Sequence, residues 1–265
     1  MFTLQKLLQP ETIEEAYKIL TEKKANTVLG GCCFLRMGSK RIGTAIELSK
    51  LNLDYIKEDS DYIEIGAMTN FRDIETSDIL NTYFNGVLPK SVRNIIGVQF
   101  RNVVTVGATV FSKYGFSDFI TGLLSLDAEV ELAGEGRLSL EEFLDMDYKK
   151  DLLTRIFIKK DNRKAVFKDF RNSASDYSIL NVSVSNNEGD WKIVVGARPV
   201  RAIIAKNASK ELSKGDLTTE KVELVANMTA EELTFGNNMR ATAEYRKTLC
   251  KVLVKRAIME VLECK

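Results

Sequence analysis

Thr27-Val28-Leu29-Gly30-Gly31-Cys32-Cys33 is the stretch on which the reading of this chain turns. Thr27-Val28-Leu29 forms a short strand that runs straight into paired glycines. A strand that ends this way bares several backbone N–H groups, and only glycine lets a phosphate come that close. A plain tight turn between strand and helix explains the same residues, and the stretch alone leaves both readings open. A second candidate is Arg101-Asn102-Val103-Val104-Thr105-Val106-Gly107-Ala108-Thr109, where a glycine again breaks a β-branched run beside hydroxyl side chains. Neither fits G-x-G-x-x-G or G-x-x-x-x-G-K-[ST], and Gly38-Ser39-Lys40 lacks the upstream glycine of a P-loop. A nucleotide bound here sits in a fold that is neither Rossmann nor P-loop. The adjacent Cys32 and Cys33 invite a redox role. Neighbouring cysteines rarely form a relaxed disulfide, however, and no base in the sequence beside them lowers a thiol pKa, so a place in the binding loop is the better reading.

Outward from that stretch, the chain reads as α+β. Thr12-Ile13-Glu14-Glu15 is a capping box, and Ile13, Ala16, Tyr17 and Leu20 then share one helical face. Strands follow at Thr44 to Leu48 and Tyr62 to Ile65, giving a small α/β unit. Residues 70 to 100 read as mostly helical. Asn102 to Phe111 reads as a strand with a tight turn at Gly107. Ser117 to Leu126 is expected as a helix, Ala128 to Leu132 as a strand and Gly134-Glu135-Gly136 as a turn. Ser139-Leu140-Glu141-Glu142 is a second capping box, and Leu152 to Ile158 a strand. Lys159 to Lys164 is the best linker, since nothing in it calls for burial. Two or three antiparallel strands come next, with Asn186 to Asp190 as their hairpin turn. The end is helical, with Tyr245, Leu249, Val252, Leu253 and Ala257 on one face. No internal repeat or low-complexity tract interrupts this pattern, which divides near residue 160.

Composition narrows the chemistry. The 38 basic and 37 acidic side chains leave a net charge of +1, so no overall field gathers nucleic acid or an acidic membrane. No apolar stretch is long enough to span a bilayer, and the N-terminus lacks a signal peptide's basic and apolar regions, so a cytoplasmic protein is expected. The chain has no histidine, which rules out Ser–His triads, His-ligated metals and imidazole catalysis within it. Its four cysteines, Cys32, Cys33, Cys250 and Cys264, form no CxxC, a poor set for an iron–sulfur cluster. A demanding redox step here therefore needs an organic cofactor. The segment Lys168 to Tyr177 (KDFRNSASDY) sets two cations, an acid and an aromatic on or near a strand. It reads either as a solvated strand end before a core tyrosine, or as a cation and an aromatic facing a flat anionic ligand.

In this order and spacing the segments resemble the FAD-binding subunit of molybdenum hydroxylases, the group that includes the flavin subunits of bacterial xanthine, nicotinate and carbon monoxide dehydrogenases. The likeness spans the whole chain. It runs from Pro10-Glu11-Thr12 and Val28-Leu29-Gly30-Gly31 through Ile65-Gly66-Ala67-Met68-Thr69 and VQFRNVVTVGATV. FSDFITGLLSLDAEVEL, LLTRIFI, Ala243-Glu244-Tyr245-Arg246-Lys247 and VLVKRAI complete it.

The resemblance implies a PCMH-type fold, in which two α/β subdomains within residues 1–160 grip FAD, followed by a C-terminal α+β domain at 161–265. It implies that Leu29, Gly30, Gly31, Cys32, Cys33 and Phe34 form one pyrophosphate loop, and Val104, Thr105, Gly107, Ala108 and Thr109 the other, both offering backbone N–H groups. Asp118 falls where the family has an acid near the FAD sugar and phosphates, and Leu153 where it has a backbone contact. Lys168, Asp176 and Tyr177 match residues beside the isoalloxazine. Two departures stand out: a hydroxyl or amide residue is usual where Cys32 stands, and Gly-Gly-Asn is usual in place of Gly107-Ala108-Thr109, where Ala108 is expected to restrict the turn. Gly31 is expected to stay small to leave a path for phosphate. The implied activity is electron relay from an iron–sulfur partner subunit, fed by a molybdopterin partner subunit, through FAD to NAD, with no catalytic or metal-binding side chain assigned in this chain. The alternatives are a free-standing flavin oxidoreductase of the cell-wall precursor reductase kind and a scaffold subunit that has lost its flavin.

Overall fold

In the computed structural model, which describes residues 1–264, the chain opens with β1 (Thr3–Leu8), α1 (Ile13–Glu22), β2 (Thr27–Leu29) and β3 (Arg41–Glu47). β4 (Ile56–Glu58) and β5 (Tyr62–Gly66) lead into short helices: α2 (Phe71–Thr76), α3 (Asp78–Thr82), α4 (Val87–Val92), α5 (Val98–Arg101), α6 (Val106–Phe111) and α7 (Asp118–Leu124). Then come β6 (Glu129–Leu132), β7 (Gly136–Ser139), α8 (Leu140–Asp145) and β8 (Leu153–Lys159). The remainder is β9 (Lys164–Arg171), β10 (Ser178–Asn187), β11 (Asp190–Gly196), β12 (Ile203–Ile204), α9 (Lys206–Leu212), α10 (Thr219–Glu232) and α11 (Ala243–Glu263). The class is α+β.

These elements form two compact units. The first holds Met1–Ile74, Gly97–Ser112 and Ala128–Lys159; the second holds Glu75–Ile96, Lys113–Asp127 and the chain from Lys160 onward. The final passage between them falls at Lys159–Lys160, but two earlier segments already belong to the second unit.

In the first unit, β1 and β2 flank β3 in a parallel sheet. Ala16 and Leu20 of α1 bury against Ile46, Leu48 and Leu152. Thr12 caps α1 by accepting the Glu15 N–H at 3.1 Å, while the Glu15 carboxylate takes the Glu11 N–H at 3.0 Å. The expected box is thus completed one residue upstream. A second, antiparallel sheet runs β4-β5-β8-β6-β7, and the Ser139–Glu142 capping box that starts α8 is complete.

The second unit is an antiparallel sheet, β12-β11-β10-β9, covered by helices. Along β10, Asn181-Val182-Ser183-Val184-Ser185 alternates like a strand with one wet face. Yet every one of these residues is buried. Val182 and Val184 join Leu180, Ile193 and Val195 in a core shared with α9, α10 and α11. The polar side chains meet α7: Thr121 donates to Asn181 at 2.8 Å, Ser125 and Ser183 share a hydrogen bond of 2.8 Å, and Ser185 donates to the Ser125 carbonyl at 2.6 Å. The β10–β11 turn forms because Glu188 and Gly189 both take left-handed φ values, 51° and 98°.

Three expectations need correction. Asn102 to Phe111 is not a strand: α6 starts at Val106 because Thr105 caps it, accepting the Ala108 N–H at 3.4 Å. Tertiary bonds from Val106 N–H to Thr69 (2.9 Å) and from Gly107 N–H to Ala67 (2.8 Å) override the β-branched composition. The stretch around residue 160 is not wholly solvated either, since Arg163 is buried, donating to the Ser125 carbonyl at 2.8 Å and pairing with Asp127 at 2.7 Å. On α11, Tyr245 and Val252 are exposed. The buried stripe is Arg246, Cys250, Leu253, Val254, Ala257, Ile258 and Val261.

Arg246 hid that register from the sequence. It is fully buried, and its guanidinium donates to the carbonyls of Ile179 (2.9 Å), Gly236 (2.7 Å) and Ala241 (2.7 Å) and to Asn238 (2.6 Å). Replacing it strands several buried acceptors, each worth about 1–3 kcal/mol. Arg246→Met is expected to lower the melting temperature by roughly 5–10 °C, at about 2–4 °C per kcal/mol for a chain of this size. A calorimetric scan within a degree of the parent contradicts this role.

Candidate functional site

In the first unit the two glycine-bearing loops lock together backbone against backbone. A Cβ built on Gly31 would lie 1.7 Å from the Val103 carbonyl oxygen. A Cβ on Gly30 would lie 2.8 Å from both the Ala108 Cβ and Thr105 Oγ1. Gly31 is small for a reason other than the one expected: its missing side chain is where the second loop's backbone sits. At Gly107 a Cβ would lie 2.8 Å from the Ala67 carbonyl oxygen. Ala67 in turn donates its N–H to Thr154 on β8 at 3.0 Å, so α6 is tied to the five-stranded sheet through that one residue. Leu153, also on β8, is buried and pairs with Leu132 at the bulge in this sheet.

Beyond the interlock, the first loop turns sharply, with Cys32 in the left-handed region at φ 58°. The side chains of Cys32 and Cys33 fold back as thiol donors, Cys32 to the Gly30 carbonyl at 3.1 Å and Cys33 to that of Gly31 at 3.7 Å. Burial pushes both thiols above their ordinary pKa, and Cys33 raises Cys32 further. They are protonated at neutral pH and poor nucleophiles. Among the described residues, the backbone N–H groups of Gly31, Cys32, Cys33 and Thr105 meet no acceptor in another residue, that of Cys33 lying against its own thiol. Successive free N–H groups around a left-handed residue form a concave anion site. This donor set suits a pyrophosphate.

The second loop contributes differently from what its sequence suggests. The N–H groups of Val106, Gly107 and Ala108 are spent on Thr69, Ala67 and Thr105, and the Thr109 hydroxyl donates to the Thr105 carbonyl at 3.0 Å. Ala108 restricts no turn, because it lies inside α6 with its methyl beneath Gly30. Of this stretch, Thr105 retains an available N–H, and Val103, unmarked by the sequence reading, supplies the carbonyl that seats Gly31. Leu29 ends β2, and Phe34 leads into the short turn of helix at Leu35–Met37.

In the second unit Asp118 is buried at the start of α7. It accepts from Ser178 at 2.7 Å, Asn181 at 2.5 Å and Arg171 at 2.6 Å. Burial pushes its carboxyl up, against the opposing pull of Arg171, Ser178 and Asn181. Burial works against the Arg171 charge too, yet Asp118 and Asp169 carry its pKa upward. Arg171 also donates to the Asp176 carbonyl at 2.8 Å, so one guanidinium ties α7 to the loop ending at Tyr177. Asp176 accepts the Tyr177 N–H at 2.7 Å and pairs with Arg240 at 2.8 Å. The Tyr177 ring meets Phe116 edge-on, centroids 4.7 Å apart.

Asp118, Asp176 and Tyr177 are therefore one connected group. Lys168 is not part of it. Side chains alternate along β9, and Lys168 emerges on the face packed by α11, where it pairs with Glu260. The sequence reading also missed Arg171 and Arg240. Arg171 lay within the KDFRNSASDY segment as one of its two cations; nothing local marks Arg240, some 60 residues later in the chain, as its neighbour.

Residues 2–160 match the family model described as FAD binding domain in molybdopterin dehydrogenase, and residues 165–261 match CO dehydrogenase flavoprotein C-terminal domain. The chain is 26% identical to the glyceraldehyde dehydrogenase medium chain of Sulfolobus acidocaldarius, over 96% of this chain and 97% of that one. It is 23% identical to the nicotine 6-hydroxylase medium subunit of Paenarthrobacter nicotinovorans, over 95% of each. Among solved structures it superposes on a chain of the carbon monoxide dehydrogenase of Hydrogenophaga pseudoflava with a TM-score of 0.88, at 19% identity and 97% coverage of each chain. A chain of quinoline 2-oxidoreductase from Pseudomonas putida 86 gives a TM-score of 0.87 at 18% identity, covering 98% of this chain and 97% of that one. The chain belongs to the FAD-binding flavoprotein family of the molybdopterin dehydrogenases, and FAD is its cofactor.

Proposed function

We propose that the chain is the FAD-carrying electron-transfer subunit of a molybdenum hydroxylase complex, receiving electrons from an iron–sulfur partner subunit and passing them to NAD⁺. Oxidation of the organic substrate then belongs to a molybdopterin partner subunit. The observation that carries this reading is the set of N–H groups at Gly31, Cys32, Cys33 and Thr105 that no other described residue accepts. Full-length similarity to proteins named as medium subunits of a glyceraldehyde dehydrogenase and a nicotine hydroxylase supports the assignment to a complex.

FAD, when bound, supplies the ability to accept electrons singly and release them in pairs. The chain's own residues hold and orient it. Hydrogen bonds from backbone N–H groups to an anionic oxygen are worth about 1.5–3 kcal/mol each, so four suffice for retention of the cofactor without any cationic side chain. The interlocked glycines keep those donors in place before the ligand arrives, which lowers the ordering cost of binding. In the second unit, Asp176 and Tyr177 are the residues we assign to the isoalloxazine, on the family likeness. We place Lys168, which pairs with Glu260, against α11 instead. A cytoplasmic site of action is part of this reading; among the described residues no helix is long and apolar enough to cross a membrane.

The purified protein is expected to be yellow, with stoichiometric FAD released on heating; a colourless protein that takes up no added FAD contradicts the reading. Gly31→Ala places a methyl against the Val103 carbonyl, an overpacking that costs about 1–3 kcal/mol. It is expected to lose most of its FAD and to melt earlier than the parent. Gly38→Ala is the control, since its methyl meets nothing closer than 3.7 Å and both properties are expected to survive. Equal flavin content in the two variants removes the interlock from the account. Assayed alone, the FAD-loaded chain is expected to reduce an artificial dye with NADH but to leave aromatic heterocycles unoxidised. Steady hydroxylation by the isolated chain assigns substrate chemistry to it and overturns the subunit reading.

A further inference from the structure

Arg240 stands in the loop before α11 and meets the Asp176–Tyr177 corner in two ways. Its Nε and one terminal nitrogen reach the same Asp176 oxygen, at 2.9 and 2.8 Å. The carbon of its guanidinium lies 4.9 Å from the centre of the Tyr177 ring. A partly exposed ion pair alone is worth little. This one is built in from both ends. The Arg240 N–H donates at 2.9 Å to Asn238, whose side-chain oxygen also receives the buried Arg246 at 2.6 Å. On the other side the Asp176 carbonyl is held by Arg171, and the Tyr177 ring is met edge-on by Phe116 at an interplanar angle of 67°. Arg240 holds the Asp176 carboxyl below its ordinary range, so the pair stays charged at neutral pH.

We propose that Arg240 is a positioning residue for the flavin: by clamping Asp176 and lying against Tyr177, it fixes the tilt of the tyrosine ring beside the isoalloxazine. This rests on the reading that Tyr177 stands beside bound FAD. A flat, delocalised guanidinium suits the task because it can pair with a carboxylate and lie on an aromatic face at once, which a lysine ammonium cannot do with the same geometry. Arg240 touches neither substrate nor reacting atoms in this scheme; it acts through Tyr177.

Fluorescence of bound FAD tests the proposal, because a tyrosine ring in contact with an isoalloxazine quenches its emission and the readout does not depend on turnover. The flavin-loaded protein is compared with Tyr177→Leu, Arg240→Gln, Arg240→Lys and the Tyr177→Leu/Arg240→Gln double variant, each normalised to FAD released by heat. Tyr177→Leu is expected to raise the emission per bound FAD several-fold. Arg240→Gln is expected to raise it in the same direction, Arg240→Lys to fall between Arg240→Gln and the parent, and the double variant to match Tyr177→Leu, since residues that act as one unit are not additive. If Arg240→Gln emits like the parent while Tyr177→Leu brightens, or if the two effects add, Arg240 does not position the ring and the proposal is wrong. If Tyr177→Leu itself leaves the emission of loaded protein unchanged, the placement of Tyr177 has failed and takes the proposal with it. That outcome is distinct from the loss of FAD that would defeat the functional reading as a whole.

Discussion

The carbonyl oxygen of Val103 occupies the space that any side chain at Gly31 would need. Close approach of two backbones is possible only where one of them carries no Cβ, and the binding loop of the first unit is arranged around that contact. Gly30 rests on Ala108 and Thr105, Gly107 on Ala67, and Ala67 on Thr154 of β8. Strand, loop, short helix and sheet thus form one chain of contacts with no long side chain in it. A backbone packed from behind in this way keeps its remaining N–H groups fixed, and those groups can serve an anion without first being ordered.

The second unit solves a different problem. Its sheet carries Asn181, Ser183 and Ser185 on a face covered by α7, and burying such groups without partners is costly. Thr121, Ser125 and Asp118 on or beside α7 supply the partners, and Arg171 balances the carboxylate. Removing one member of a buried charge pair costs about 3–5 kcal/mol, so the seam is strongly specified. Its consequence for the Asp176–Tyr177 corner is positional. The guanidinium that neutralises Asp118 also grips the Asp176 carbonyl, so the loop carrying Tyr177 is held to the core of the unit rather than left to move with the surface.

Elements with strong local signals were legible in the sequence: the capped helices at Thr12 and Ser139 and the hairpin turn at Asn186 to Asp190. The first glycine loop was legible as a loop, and the FAD family through the order of its segments. What local pattern could not reveal was which partner each group meets. Thr105 and Gly107 sit in a β-branched run that reads as strand, and only bonds to Thr69 and Ala67 make it a helix. The alternation of β10 announces a wet face that α7 covers. Arg246 breaks the apolar stripe of α11, so the sequence favours a face that includes the exposed Tyr245 and Val252. Lys168 and Arg171 look alike in the segment Lys168 to Tyr177, yet three residues of strand put them on opposite faces of the sheet, one with Glu260 and the other with Asp118. Gly31 must stay small, but the neighbour that requires it is protein backbone.

The central claim is that the backbone amides of Gly31, Cys32, Cys33 and Thr105 hold the FAD pyrophosphate. Amide NMR of the isotope-labelled protein, stripped of flavin and then titrated with FAD, addresses those atoms individually. The account predicts that these four amides show the largest downfield proton shifts, as N–H groups do when they bond to an anionic oxygen, while Val106 and Gly107, already bonded within the fold, move little. Large shifts at Val106 and Gly107 with Gly31, Cys32 and Cys33 unmoved would contradict it.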